Sequence, residues 1–144
     1  MTAQPYALLN QGVFTGRLEF FDDAPPQLAP EKGLQWVRYI GEDAPAYDPM
    51  TRAAEPTPPE RNASGELVRG WTVRPLTLDE IRAKRQPLID AADLILRRHY
   101  SQEHYGLATT LTNAKATEWA AYLQALRDVT LQDPASLVWP APPA

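Results

Sequence analysis

His99 and His104 are the only two histidines in the chain, and Glu103 lies between them. Imidazole and carboxylate groups together are the material of metal sites and of proton transfer. Two ligands on one face of a helix want i, i+4 spacing, but these two are i, i+5, so a third ligand has to come from elsewhere. His99 also falls four after Ile95, beside an apolar stripe, and this favours a packed or boundary histidine over a ligand. Asp90 and Asp93 are three apart and face the same way on a helix. A paired-carboxylate acid/base site needs a cleft and pKa values pushed apart. The plainer reading is a solvated or ion-paired helix face, with Arg97 four residues after Asp93. Serine occurs only at Ser64, Ser101 and Ser136, none of them in a nucleophile elbow, and there is no glycine-rich phosphate loop. Asn62-Ala63-Ser64 matches a glycosylation acceptor and reads as a turn. There is no cysteine, so disulfides, thiolate ligands and cysteine nucleophiles are excluded. The residues give a catalytic assignment weak support: no cofactor or metal is expected, and an enzyme acting through His99 and His104 would need a bound metal.

What remains is a surface for another protein. Trp139 is flanked by Pro140, Pro142 and Pro143, and an aromatic group held by prolines costs little entropy to order and buries much area. Leu137, Val138 and Trp139 form three large apolar groups in a row. Such a tail either anchors a partner or packs back on its own domain, and the sequence leaves both open. Arg127-Asp128 at the preceding helix end is either part of that surface or a local pair, with Arg127 favourable beside the terminal carbonyls.

The elements that must position these groups are legible. Residues 5–10 and 13–21 read as two strands joined around Gln11-Gly12. Phe14, Gly16, Leu18 and Phe20 alternate with Thr15, Arg17 and Glu19, as in a half-buried antiparallel strand. Gly16 marks a bulge or a close backbone approach. Residues 22–33 form a loop, 34–40 a strand with both faces partly covered, and Tyr47-Asp48-Pro49 a turn entry. Residues 51–60 read as an extended edge or polyproline II segment. Ser64-Gly65 turns into a strand over residues 66–74, broken at Gly70.

Thr77 with Glu80 is a capping box, and Leu76 with Ile81 a hydrophobic staple. The helix they start runs towards Tyr105, with Leu78, Ile81, Leu88, Ile89, Ala92, Ile95 and Leu96 as its stripe. Pro87 predicts either a kink or the first residue of a second helix. Gly106 suits a helix C′ position. Thr112 is an N-cap for a further helix, in which Trp119, Tyr122, Leu123, Leu126 and Val129 share one face. Pro134 cannot continue it. The link over residues 107–111 is short enough to make the two helices an αα-hairpin. The fold class expected is α+β: a small N-terminal antiparallel β-sheet, then a C-terminal αα-hairpin and an extended Trp/Pro tail. The expected division is a β-rich domain over 1–75 and a helical region over 76–144.

The bulk numbers fit that plan. A chain of 144 residues with 44% hydrophobic content can bury a core in one or two small parts. Fifteen residues are proline, well above the usual ~5%, and their clustering predicts long irregular connections. The net charge is −4, and nothing tracks a phosphate backbone, so no nucleic acid is expected. No run approaches the ~20 apolar residues that span a bilayer, and no basic segment leads into an apolar run at the N-terminus. Neither a membrane nor a secretion signal is therefore expected.

The block Trp119-Ala-Ala-Tyr122-Leu123-Gln124-Ala125-Leu126-Arg127-Asp128, followed by Val138-Trp139-Pro140-Ala141-Pro142, resembles the C-terminal signature of tailed-phage tail assembly chaperones, the tail fibre assembly chaperones among them. In that family a Tyr-Arg-Gln-Ala-Leu-Arg-Asp helix leads to a Trp-Pro-x-Pro tail. The run from Gly70 to Ile81 is similar to the family's strand into a helix start, and Tyr47-Asp48-Pro49 before a proline-rich strand is typical of its N-terminal half. The likeness is close over residues 66–143 and loose over the first 65. Leu123 departs from the pattern, which usually has arginine there, so a polar contact made through that position is absent. The resemblance implies a non-catalytic protein that helps a tail fibre or other tail subunit fold, trimerise or attach, acting in the host cytoplasm during assembly. The other reading is a permanent component of the virion tail, a fibre or baseplate adaptor. The partner-binding residues expected are Trp119, Tyr122, Leu126, Arg127, Trp139 and Pro140.

Overall fold

The computed structural model describes residues 2–28 and 30–144. The described residues form seven strands and then two helices: β1 (Gln4–Asn10), β2 (Val13–Phe21), β3 (Leu34–Gly41), β4 (Arg52–Pro56), β5 (Glu60–Arg61), β6 (Leu67–Arg69), β7 (Trp71–Pro75), α1 (Leu78–His104) and α2 (Asn113–Asp128). The α+β plan is the expected one. The chain divides into two compact units, one covering residues up to Tyr47 together with Ala54–Arg74, the other Asp48–Ala53 with Pro75–Ala144.

In the first unit, Gln11 and Gly12 both have positive φ, the geometry of the two-residue hairpin turn that closes β1 on β2. The five-stranded sheet has the order β2-β1-β3-β6-β5. The expected antiparallel pairing holds for β1 with β2, β1 with β3 and β5 with β6. One pair differs: β3 and β6 run parallel, Tyr39 opposite Leu67, so the sheet is mixed. Its apolar face buries Ala7, Leu9, Val37 and Leu67, with Phe14 and Tyr39 packed against them. The opposite face carries Tyr6, Phe21 and Trp36 in edge-to-face contact, which accounts for a third strand without one clean polar side. The β1–β2 register shifts between Ala7 and Leu9. Gly16, in the facing stretch of β2, has φ +85°, and a Cβ added there would meet nothing within 4 Å. Gly16 therefore serves a bulge and not a close approach. Leu18 and Phe20 remain exposed, so the apolar set of β2 is only partly covered.

The expected strand over 66–74 is two strands, divided at Gly70. β6 joins the larger sheet, and β7 pairs with β4 in a two-stranded ribbon. The segment after Pro49 is thus extended and paired, not free polyproline II. Asn62 turns the β5–β6 hairpin, its side-chain oxygen accepting from the amides of Ser64 and Glu66 at 3.0 Å each. Asp48 does the same for the Tyr47-Asp48-Pro49 entry, accepting from Met50 N at 2.9 Å. The loop expected over 22–33 contains one 3-10 turn, Pro30–Lys32; its residue Ala29, like Met1, lies outside the described residues.

In the second unit the capping box is complete. Thr77 Oγ1 accepts from Glu80 N at 3.2 Å, and Glu80 Oε2 accepts from Thr77 N at 2.8 Å. Leu76 and Ile81, the staple, are both buried. α1 then runs 27 residues without interruption, Pro87 inside it; the alternative of a new helix at Pro87 is not realised. Gly106 has φ +66°. Its amide bonds Glu103 O at 3.1 Å, and the next amide, of Leu107, bonds Gln102 O at 2.8 Å. These are the two bonds of a Schellman ending. Thr112 caps α2 through Lys115 N at 3.2 Å. After Asp128 the chain tightens into 3-10 turns, Val129–Leu131 and Pro134–Ser136. Among the described residues no helix is long and apolar enough to cross a membrane.

Candidate functional site

The inner face of α2 makes the core of the hairpin. Tyr122, Leu123 and Leu126 are buried with Ala92 of α1, and Leu88, Ile89, Leu96, Trp119 and Trp139 pack around them. A second cluster joins Leu76, Ile81, Val129 and Leu137, with Ala53 and again Trp139 against it. Trp139 therefore touches both clusters. Leu126 is fully buried and Tyr122 nearly so; each presents its side chain to its own core. Leu123, where the related pattern has arginine, is buried in that same core, so the exchange is met by apolar packing.

The tail is fastened, not loose. Gln132 grips Val138 twice, Nε2 donating to its carbonyl and Oε1 accepting from its amide, both at 2.9 Å. Asp133 caps the turn at Pro134 through Ala135 N at 3.0 Å. Arg52 Nη2 donates to Ala135 O at 2.9 Å, and Trp139 Nε1 donates to Met50 O at 2.6 Å. Arg85 reaches from α1 to Arg127 O at 2.9 Å and to Thr130 Oγ1 at 3.3 Å. The three apolar groups in a row consequently divide: Leu137 is buried, Val138 is 69% exposed and Trp139 is half-buried.

Of the six residues expected at the surface, four present area to solvent. Trp119, Trp139 and Pro140 are half-buried and Arg127 is exposed. The local pair open to Arg127 does not form; the Asp128 carboxylate accepts from Gln124 Nε2 at 3.1 Å instead. Leu131 is 83% exposed and was not anticipated. The available signal was that it falls off the Leu126/Val129 stripe. Trp119 meets Tyr122 edge to face, ring centres 5.7 Å apart. It also walls an open, mainly apolar groove of about 190 Å³ with Ile95, Arg98, His99, Gln102, Thr110 and Leu111.

The groups that first suggested chemistry are spread apart. His99 is buried with Nε2 3.5 Å from Glu103, the packed position expected of it. His104 is exposed between Tyr100 and Tyr105. Asp93 is ion-paired to Arg97 at 2.6 Å, and Asp90 accepts from Gln86 at 2.8 Å. Among the described residues no three His, Cys, Asp or Glu side chains converge as metal ligands would. The arrangement is that of an apolar hairpin with a stitched-on tail.

Residues 78–144 match the family model described as phage tail assembly chaperone protein. The matched stretch is α1, α2 and the tail, the elements that carry the surface above. This supports membership of the tail assembly chaperone family and a role like that of such a chaperone. Comparison with curated proteins and with solved structures gave no match.

Proposed function

We propose that the protein is a tail fibre assembly chaperone, binding a fibre or other tail subunit without catalysis and shielding its apolar surface until it trimerises or docks. The family match over the helical hairpin and tail carries this reading. The contact surface is Trp119, Arg127 and Pro140, with the exposed Leu131 and Val138, while Trp139 holds the tail against both clusters of the helical unit. Tyr122 and Leu126 act from beneath, by fixing α2 against α1. Exposed apolar groups on a rigid support suit transient holding, because nothing in the chaperone has to be ordered on contact. The protein acts in the host cytoplasm while tails are built.

Co-expression with a tail fibre subunit of the same phage tests this. The expected result is more soluble fibre and its co-purification with the chaperone. The double variant Leu131→Asp, Val138→Asp, changed only at exposed positions, loses both effects while keeping its helical signal. Fibre solubility that is the same with and without the protein overturns the reading. Mass spectrometry of purified particles decides the other possibility, since a permanent tail component is present there in stoichiometric amount.

A further inference from the structure

The groove beside Trp119 has features the proposed surface does not use. Its walls are Ile95, Leu111, Trp119 and the ring of His99. Its volume of about 190 Å³ is below the ~300 Å³ at which small-molecule and cofactor sites begin. It is close to the ~150 Å³ apolar cavity that admits one benzene ring. The space therefore fits a single large apolar side chain.

Two polar groups of the lining residues lack a partner among the described residues, Arg98 and the buried Nδ1 of His99. Gln102 and Thr110 satisfy each other, Gln102 Nε2 donating to Thr110 Oγ1 and Thr110 N donating to Gln102 Oε1, both at 3.0 Å. Arg97, next in sequence to the rim, is held by Asp93. Lys115 on the facing helix is held by Glu118 at 2.8 Å. Arg98 lines the groove, is exposed, and makes no hydrogen bond or ion pair among the described residues. A planar guanidinium at an apolar mouth is complementary to a carboxylate.

We infer that this groove receives one aromatic side chain of a client protein whose neighbouring residue is acidic, the ring entering between Ile95, Leu111 and Trp119 and the carboxylate meeting Arg98. The inference rests on the chaperone reading for the nature of the partner, and on the size and charge of the groove for the sequence recognised.

The probes are three capped peptides, acetyl-Gly-Phe-Glu-Gly-amide and its counterparts with Gln for Glu and with Ala for Phe, titrated into the full chain. The side-chain indole resonance of Trp119, assigned with Trp119→Phe, is followed by NMR. The Phe-Glu peptide shifts it saturably, with a dissociation constant on the order of 1 mM. The Ala peptide does not shift it. The Gln peptide binds roughly two- to fivefold more weakly, the range of a solvent-exposed ion pair. Arg98→Gln abolishes that difference and leaves the Gln peptide's affinity as it was. No saturable shift, equal binding of the Glu and Gln peptides, or a difference that survives Arg98→Gln overturns the inference. Peptides that fail while wild-type protein still solubilises the fibre remove the groove and leave the chaperone reading. Peptides that bind as described while no fibre is solubilised do the reverse.

Discussion

Replacing Trp139 separates a tail that belongs to the fold from one held out for a partner. Its ring packs on both clusters of the helical unit, and its Nε1 donates to Met50 O at 2.6 Å. Truncating a fully buried Phe or Trp to Ala costs about 3–5 kcal/mol; for a half-buried indole about 2 kcal/mol of that applies. The lost hydrogen bond adds about 1 kcal/mol, since the Met50 carbonyl is left without this donor. Trp139→Ala should therefore destabilise the helical unit by about 3 kcal/mol. Trp139→Phe, which keeps an apolar ring, should cost about 1 kcal/mol. Val138→Ala, one residue away but exposed, should stay within about 0.5 kcal/mol of wild type. Urea unfolding followed by far-UV circular dichroism reports on this unit, because both α-helices lie in it. With a slope of about 2 kcal/mol/M, the Trp139→Ala midpoint falls by about 1.5 M. An unchanged midpoint with an unchanged slope refutes the packing argument.

Two further substitutions test the helix starts and interior. Thr77→Ala removes the acceptor for Glu80 N and should lower stability by about 1 kcal/mol, with Thr77→Ser near wild type in the same urea experiment. Pro87→Ala restores a hydrogen bond within α1, where proline costs about 3 kcal/mol. After the looser unfolded chain takes back about 0.4–1 kcal/mol, a net gain of about 2–2.6 kcal/mol is expected as a raised midpoint. A lowered midpoint means that Pro87 itself contributes to the packing of Leu88 and Ile89 in the hairpin core.

Local chemistry was readable in the residues. The Thr77/Glu80 box, the Thr112 cap and Gly106 each act over a few positions, so the chain states them directly. The inward face of α2 was readable too, because Tyr122, Leu123, Leu126 and Val129 share one side of a 3.6-residue repeat. The parallel pairing of β3 with β6 was not, because the partners lie far apart in sequence and no spacing rule links them. Nor was the joining of residues 48–53 to the helical unit. It depends on a backbone carbonyl, Met50 O, and on Arg52 reaching Ala135 O, and side-chain types do not announce either. At the candidate site the pattern marked apolar residues without saying which would be spent inside. Tyr122 and Leu126 were spent, whereas Leu131, off the stripe, was left out.

That division bears on how a client would be held. To use the whole indole of Trp139, a partner would first have to break contacts worth about 3 kcal/mol, a penalty of roughly 150-fold in affinity at 1.4 kcal/mol per decade. Leu131 and Val138 carry no such penalty, because they are already exposed and are held in place by the Gln132 grip and the turn before it. A holding surface that must later release its client is better built from groups of this second kind. Changes at Leu131 and Val138 should therefore alter client capture with stability intact. Changes at Trp139 should alter capture only as far as they loosen the hairpin, so that client yield follows the urea midpoint across Trp139→Phe and Trp139→Ala. Capture that fell in Trp139→Phe with its midpoint preserved would place the indole in the contact itself and reverse this order.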